Sequence, residues 1–151
     1  MKKIIVLISI LSVTLFYSCK KNDSPGDNFG FGNSLPPYVT IESLDDISAA
    51  PGDTVNITLQ MRTSIQQTVT ATYSAVGAVN VPNGTVVFNK EAKEATVSFI
   101  LPANVITPPA TSASFVFTLV KAQTADGKAL TIGQDANASA QKVNVLIEEA
   151  E

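Results

Sequence analysis

The chain has 151 residues, with 10 basic and 13 acidic side chains, a formal charge of −3, no histidine, no tryptophan and a single cysteine, Cys19. Without histidine, a Ser-His-Asp triad, a Cys-His dyad and a histidine-ligated zinc site are excluded, and acid-base work would fall to carboxylates and lysines alone. The acidic balance, with no basic cluster beyond Lys20-Lys21, argues against a nucleic-acid partner.

Met1-Lys2-Lys3 opens the chain, followed by 14 uncharged residues from Ile4 to Tyr17, then Ser18 and Cys19, and at once Lys20, Lys21, Asn22 and Asp23. A basic start, an apolar stretch and a small residue before the cut is the order of an export signal. The apolar run falls short of the roughly 20 residues a helix needs to cross the hydrocarbon core. Residues 1–18 are therefore expected to be removed as a signal peptide. Their loss takes away Lys2 and Lys3, leaving 8 basic against 13 acidic groups and a charge of −5. Ser18-Cys19 resembles the end of a lipobox, and the Lys-Lys-Asn-Asp after it resembles lipoproteins of the Bacteroidetes. The chain departs from the usual box in carrying Phe16 three residues before the cysteine, with its leucine one step earlier at Leu15. The resemblance implies lipidation of Cys19 and attachment to the bacterial outer membrane, on either its periplasmic or its cell-surface side. A lone cysteine in an exported chain cannot close an internal disulfide, which agrees with lipidation. At about 0.8 kcal/mol per buried methylene, two or more acyl chains make such an anchor effectively permanent.

Residues 19–37 comprise the lipidated cysteine and a segment rich in Gly, Pro, Asn, Asp and Ser, which reads as a tether. Phe29-Gly30-Phe31-Gly32 places two aromatics within it, expected to pack on the edge of the following domain.

Residues 38–151 change to a period of two. Val55, Ile57, Leu59 and Met61 alternate with polar residues, as do Val69, Ala71, Tyr73 and Ala75 among threonines and serine. Ala95, Val97, Phe99 and Leu101 repeat the pattern, followed by Phe115, Phe117 and Leu119, and by Val143, Val145 and Ile147. Tyr38–Leu44 and Thr85–Phe88 complete about seven strands, punctuated by Pro51-Gly52-Asp53, Pro82-Asn83-Gly84, Pro108-Pro109 and Asp126-Gly127. No stretch sustains a 3.6-residue period. The fold class expected is all-β, an antiparallel Ig-like β-sandwich.

Gly84 to Phe88, a turn at Asn89 to Lys93, Ala95 to Phe99, then Phe115 to Leu119 and the closing Lys142 to Ile147 resemble the Calx-beta family over roughly residues 38 to 148. That resemblance implies calcium ligands in acidic loops at one end of the sandwich. In a sandwich of this kind alternate loops share an end, which groups residues 45–53, 77–83 and 102–112. Only the first of these carries carboxylates, Asp45, Asp46 and Asp53, while Ala103 to Ser114 has none. Calcium takes six to eight oxygens. Asp45, Asp46 and Asp53 are thus the sole metal-ligating candidates, and a solvated acidic turn without metal or other cofactor is the expectation.

Asp45-Asp46 and Glu148-Glu149 are adjacent pairs. Neighbours on a strand point to opposite faces, whereas a glycosidase needs two carboxyls converging on one bond. No catalytic residue is assigned. With Tyr38 and Tyr73 as its only tyrosines and no tryptophan, the mature chain is poorly supplied for stacking on sugars. Asp53-Thr54-Val55 resembles the O-glycosylation triplet of Bacteroidetes, with Thr54 as the acceptor. Together these features lead to a non-enzymatic, lipid-anchored envelope module for protein binding, adhesion or accessory assembly. The alternative is a glycan- or calcium-binding module associated with polysaccharide uptake.

Overall fold

The structure is a computed structural model that describes residues 36–149. The signal segment, Cys19 and the tether up to residue 35, with its two phenylalanines, lie outside the described residues.

Nine strands run β1 (Tyr38–Ile41), β2 (Ile47–Ala49), β3 (Thr54–Met61), β4 (Val69–Gly77), β5 (Val81–Phe88), β6 (Glu94–Ile100), β7 (Ser112–Thr124), β8 (Ala129–Ile132) and β9 (Lys142–Glu148). A 3-10 turn, Ala138–Ala140, precedes β9. One layer is β1-β3-β6, antiparallel throughout. The facing layer is β2-β9-β7-β4-β5. β8 joins the two, pairing with β7 in one layer and with β1 in the other.

The all-β sandwich read from the alternation is what forms, and two strand pairs in it are parallel, β1 with β8 and β2 with β9. Both arise from one arrangement. The first strand crosses from one layer to the other between Ile41 and Ile47, and the last does the same between Ile132 and Lys142. Because the two run side by side, each half of one pairs in parallel with a half of the other. The crossings are stapled together: Gly133 N–H donates to Val39 O at 2.8 Å. Gln141 Oε1 accepts from Ile41 N at 2.8 Å and from Thr40 Oγ1 at 2.7 Å.

Alternation delivers the core. Val55, Ile57, Leu59 and Met61 of β3 face Phe115, Phe117 and Leu119 of β7 and Val143, Val145 and Ile147 of β9, all buried. At its centre Phe99 of β6 meets Phe115 and Phe117 edge-on at 5.3 and 6.1 Å, while Tyr73 of β4 stacks on Phe117 at 5.1 Å. Aromatic pairs at such spacings add about 0.5–1.5 kcal/mol each beyond area burial.

Three local readings change. β7 continues to Thr124, beyond the expected Leu119. The register slips between Tyr73↔Leu119 and Thr72↔Lys121, leaving Val120 as a bulge that shifts the buried positions from Leu119 to Ala122 and Thr124. Pro82-Asn83-Gly84, expected as a turn, lies inside β5. β5 pairs only with β4, and Pro82 and Asn83 sit in a bulge between Tyr73↔Gly84 and Ala75↔Val81, where a missing N–H costs no ladder bond. Lastly, the segment from 45 to 53 is no simple loop, since Ile47–Ala49 forms β2 along β9.

Candidate functional site

The end of the sandwich expected to group residues 45–53, 77–83 and 102–112 does so. Thr54 at the start of β3 pairs with Ile100 at the end of β6, and Leu101 N–H donates to Asp53 O at 2.8 Å. Gly77 at the end of β4 pairs with Phe115, and Ala78 N–H donates to Ser114 O at 2.8 Å. One further element reaches this end: Ser112 pairs with Glu148, which brings in Glu148 and Glu149. Only the register of β9 could reveal that, because the chain segment itself gives no sign of where its tip lies.

Asp45, Asp46, Asp53, Glu148 and Glu149 therefore belong to one end, with Glu42 set back from it where its N–H donates to Thr58 O midway along β3, and none of the basic side chains of the described residues, Arg62, Lys90, Lys93, Lys121, Lys128 and Lys142, accompanies them. Each of the three candidate aspartates can be placed. Asp53 closes a turn: its N–H donates to Ala50 O at 3.1 Å and its Oδ2 accepts from Ala50 N at 2.8 Å. Between them Pro51 and Gly52, the latter at φ +88°, complete a type II turn. Asp45 Oδ2 accepts from Ser43 Oγ at 2.9 Å, and Asp45 N–H donates to the same hydroxyl at 3.2 Å. Asp46 lines a small recess of about 160 Å³ between residues 42–47 and the Asn56–Thr58 stretch of β3. That is below the roughly 300 Å³ at which ligand pockets begin. Asp53 and Asp45 thus spend carboxylate oxygens on their own turns, and no three carboxylates among the described residues converge as a metal would need. Thr54, the expected glycosylation acceptor, is exposed at the first position of β3.

The opposite end holds a recess of about 340 Å³, bounded by Tyr38, Thr40, Gln60, Arg62, Lys93 and Glu94 on the outer side of the β1-β3-β6 layer, larger than the Asp46 recess but smaller than the open one of about 450 Å³ between Ala110-Thr111 and Glu148-Glu149 at the acidic end. The lining of the Arg62 recess is mixed, with donors from two cations and acceptors from Gln60 and Glu94 beside apolar surface from Tyr38 and Met61. At the same end Thr124, Asp126 and Lys128 build the β7–β8 hairpin. Gly127 N–H donates to Thr124 O at 2.8 Å and Thr124 N–H to Lys128 O at 2.9 Å, with Gly127 at φ +83°. This is a three-residue loop in which glycine takes the left-handed position. The Thr124 hydroxyl donates to Asp126 Oδ1 and holds that carboxyl below its ordinary value of 3.8, with the Lys128 N–H and Gln67 assisting and desolvation opposing.

The outer face of the β1-β3-β6 layer is a flat polar ladder. Ser98 Oγ donates to Asn56 Oδ1 at 2.7 Å, and Thr58 and Thr96 hydroxyls pair at 3.4 Å. No group on it resembles an activated nucleophile.

No family model matches the sequence, and no curated protein matches it. Solved structures do. A crystal structure of the apo form of the Calx CBD1 domain superposes with a TM-score of 0.54 at 9% identity, covering 78% of this chain and 100% of that one. A crystal structure of CBD12 from CALX1.2 gives 0.54 at 10% identity, covering 74% of this chain and 44% of that one. At such identities the likeness concerns the fold, and it is the Calx-beta-like sandwich that the strand rhythm implied.

Proposed function

We propose that the protein is a non-enzymatic, lipid-anchored lipoprotein of the bacterial envelope, whose sandwich serves as a protein-binding, adhesion or accessory module at the outer membrane. The observation that carries the reading is the pairing of a Cys19 that follows a short apolar run and Ser18 with a domain whose candidate acidic side chains, Asp45 and Asp53, are engaged in their own turns. A sandwich of this kind has open strand edges able to accept a partner strand. Replacing Cys19 with Ala and fractionating cells tests the anchor: the variant is expected in the soluble fraction, and a variant still in the membrane fraction overturns it. Protease treatment of intact cells then distinguishes the periplasmic from the cell-surface side.

A second reading draws on the recess at Tyr38, Gln60, Arg62 and Lys93, whose volume and mixture of charged, amide and aromatic groups suit a small glycan or anionic sugar. The acidic end gives calcium a weaker foothold, since Asp45, Asp46 and Asp53 do not converge. A thermal-shift series with a glycan panel and with calcium separates these from the leading reading. A rise in midpoint with either ligand favours the alternative, and no change leaves protein binding. Thr54 as a glycan acceptor is tested by the intact mass of the mature protein, which equals lipid plus peptide if the residue is unmodified.

A further inference from the structure

β6 is an edge strand built for pairing and lacking protection. Among the described residues it pairs with β3 alone, in an unbroken register from Thr54↔Ile100 to Gln60↔Glu94. Leu101 N–H donates to Asp53 O, and Lys93 O accepts from Met61 N, so the odd-numbered residues turn their backbone groups to β3. Antiparallel ladders alternate. Glu94, Thr96, Ser98 and Ile100 therefore aim N–H and C=O at the open side. The other edges in the described residues are blunted, β5 by Pro82 and a bulge, β2 by its length of three residues. β6 has no proline, glycine, lysine or bulge, and its Ile100 is 79% exposed. Natural sheets normally guard such an edge unless something pairs with it.

The geometry points to a second copy of this chain as the occupant, with β6 pairing antiparallel to β6 about a two-fold axis at Val97. Only registers that set even residues against even ones join the outward groups, and centring on Val97 uses the whole strand. Glu94 then faces Ile100 of the other copy and Thr96 faces Ser98. Four residues per strand each give one N–H, making eight hydrogen bonds. No like charges oppose one another: the two Glu94 carboxylates lie six positions apart along the seam, roughly 20 Å, beyond a Debye length of about 8 Å. The exposed Ile100 gains the methylene stem of Glu94 as cover. Recognition of a foreign peptide would call for pockets that select alternate side chains. The outward side chains here, Thr96 and Ser98, lie in a flat ladder already bonded to Thr58 and Asn56. Apart from the recess beside Glu94 at its first residue, the edge offers its backbone, which suits self-pairing.

A seam of one strand buries less than the roughly 1,200 Å² of a standard stable interface. The dimer is accordingly weak in dilute solution and gains from confinement to a membrane, where tethering raises effective concentration. In that respect the inference rests on the anchored, protein-binding reading above.

Cross-linking of the full chain tests it, because Cys19 is the only native thiol. The variant carrying both Thr96→Cys and Ser98→Cys, oxidised in whichever cell fraction holds the chain, is expected to give a covalent dimer on a non-reducing gel. Either single variant should give much less, since each thiol then faces a hydroxyl. Adding Ile100→Pro, tolerated where the N–H faces outward, removes one seam bond per copy and should lower cross-linking roughly tenfold. A thermal melt of each variant checks that the fold persists. No dimer from the double variant, equal dimer from the singles, an adduct of any other mass, or indifference to Ile100→Pro overturns the self-pairing. Failure of the anchor is read separately, as a chain recovered in the soluble fraction.

Discussion

Gln141 is the polar residue on which the crossing of the first and last strands depends, and its replacement by leucine should be costly in a calculable way. It is 5% exposed, and its Oε1 accepts from the buried Ile41 N–H and from the Thr40 hydroxyl. In Gln141→Leu the hydroxyl can turn to Ile41 O, 3.2 Å away, and loses little. The Ile41 N–H has no such recourse, because Ile41 is 3% exposed and its neighbourhood is core. An orphaned buried donor costs about 1–3 kcal/mol, and the lost hydroxyl bond adds about 0.5–1 kcal/mol. Leucine recovers part through its own burial, leaving a net loss of about 2 kcal/mol, or on the order of 10 °C in midpoint for a domain of this size. Urea unfolding at constant m-value measures it, with Thr40→Val as the internal comparison, expected to lose under about 1 kcal/mol. Hydrogen exchange at the Ile41 amide should accelerate in Gln141→Leu and hardly change in Thr40→Val. A Gln141→Leu chain within about 0.5 kcal/mol of the parent, or one less affected than Thr40→Val, would refute the reasoning.

Gly84 lies under the Tyr73 ring, where an added Cβ would collide with the ring carbon Cζ, so Gly84→Ala must displace a ring stacked on Phe117. A loss of about 1–3 kcal/mol is expected, read as a lowered melting midpoint together with altered tyrosine fluorescence. Asp53→Ala removes the side-chain acceptor for Ala50 N–H in an exposed turn, and a midpoint drop equivalent to about 1 kcal/mol follows, with no dependence on calcium. For Asp126 the sign is fixed by its depressed folded pKa. The ionised carboxylate stabilises the β7–β8 hairpin above the ordinary carboxylate value of 3.8, and that contribution drains away as pH falls through the lower folded value. Asp126→Asn should therefore melt below the parent near about pH 6 and converge with it toward about pH 2; curves that stay parallel would contradict the assignment.

The alternation of β3, β4, β6 and β9 was plain in the chain because each strand buries one face only, so its apolar residues recur every second position. Where that condition lapses the signal lapses. Val120 shifts the buried parity within β7, so the pattern ended at Leu119 although the strand does not. β2 and β8, with three and four residues, are too short to show a period, and they exist because β9, β7 and β1 offer them backbone partners. Pro82-Asn83-Gly84 carries turn chemistry by any local measure, yet an outermost strand with a bulge admits it.

The candidate site divides along the same line. That residues 45–53 and 102–112 share one end follows from counting alternate loops, and the lack of carboxylates in 103–114 was visible directly. That Glu148 and Glu149 join them was decided by register, and that Asp45 and Asp53 turn inward to Ser43 and Ala50 by hydrogen bonding. The chain by itself determined composition-level facts: no histidine, one cysteine after an apolar run, and strands of period two, all of which depend on residue type and spacing alone. Only the tertiary structure decided which strands lie open and which polar residue is buried. Whether β6 ends a sheet, or Gln141 sits at a crossing, depends on what residues many positions away leave uncovered or bring near.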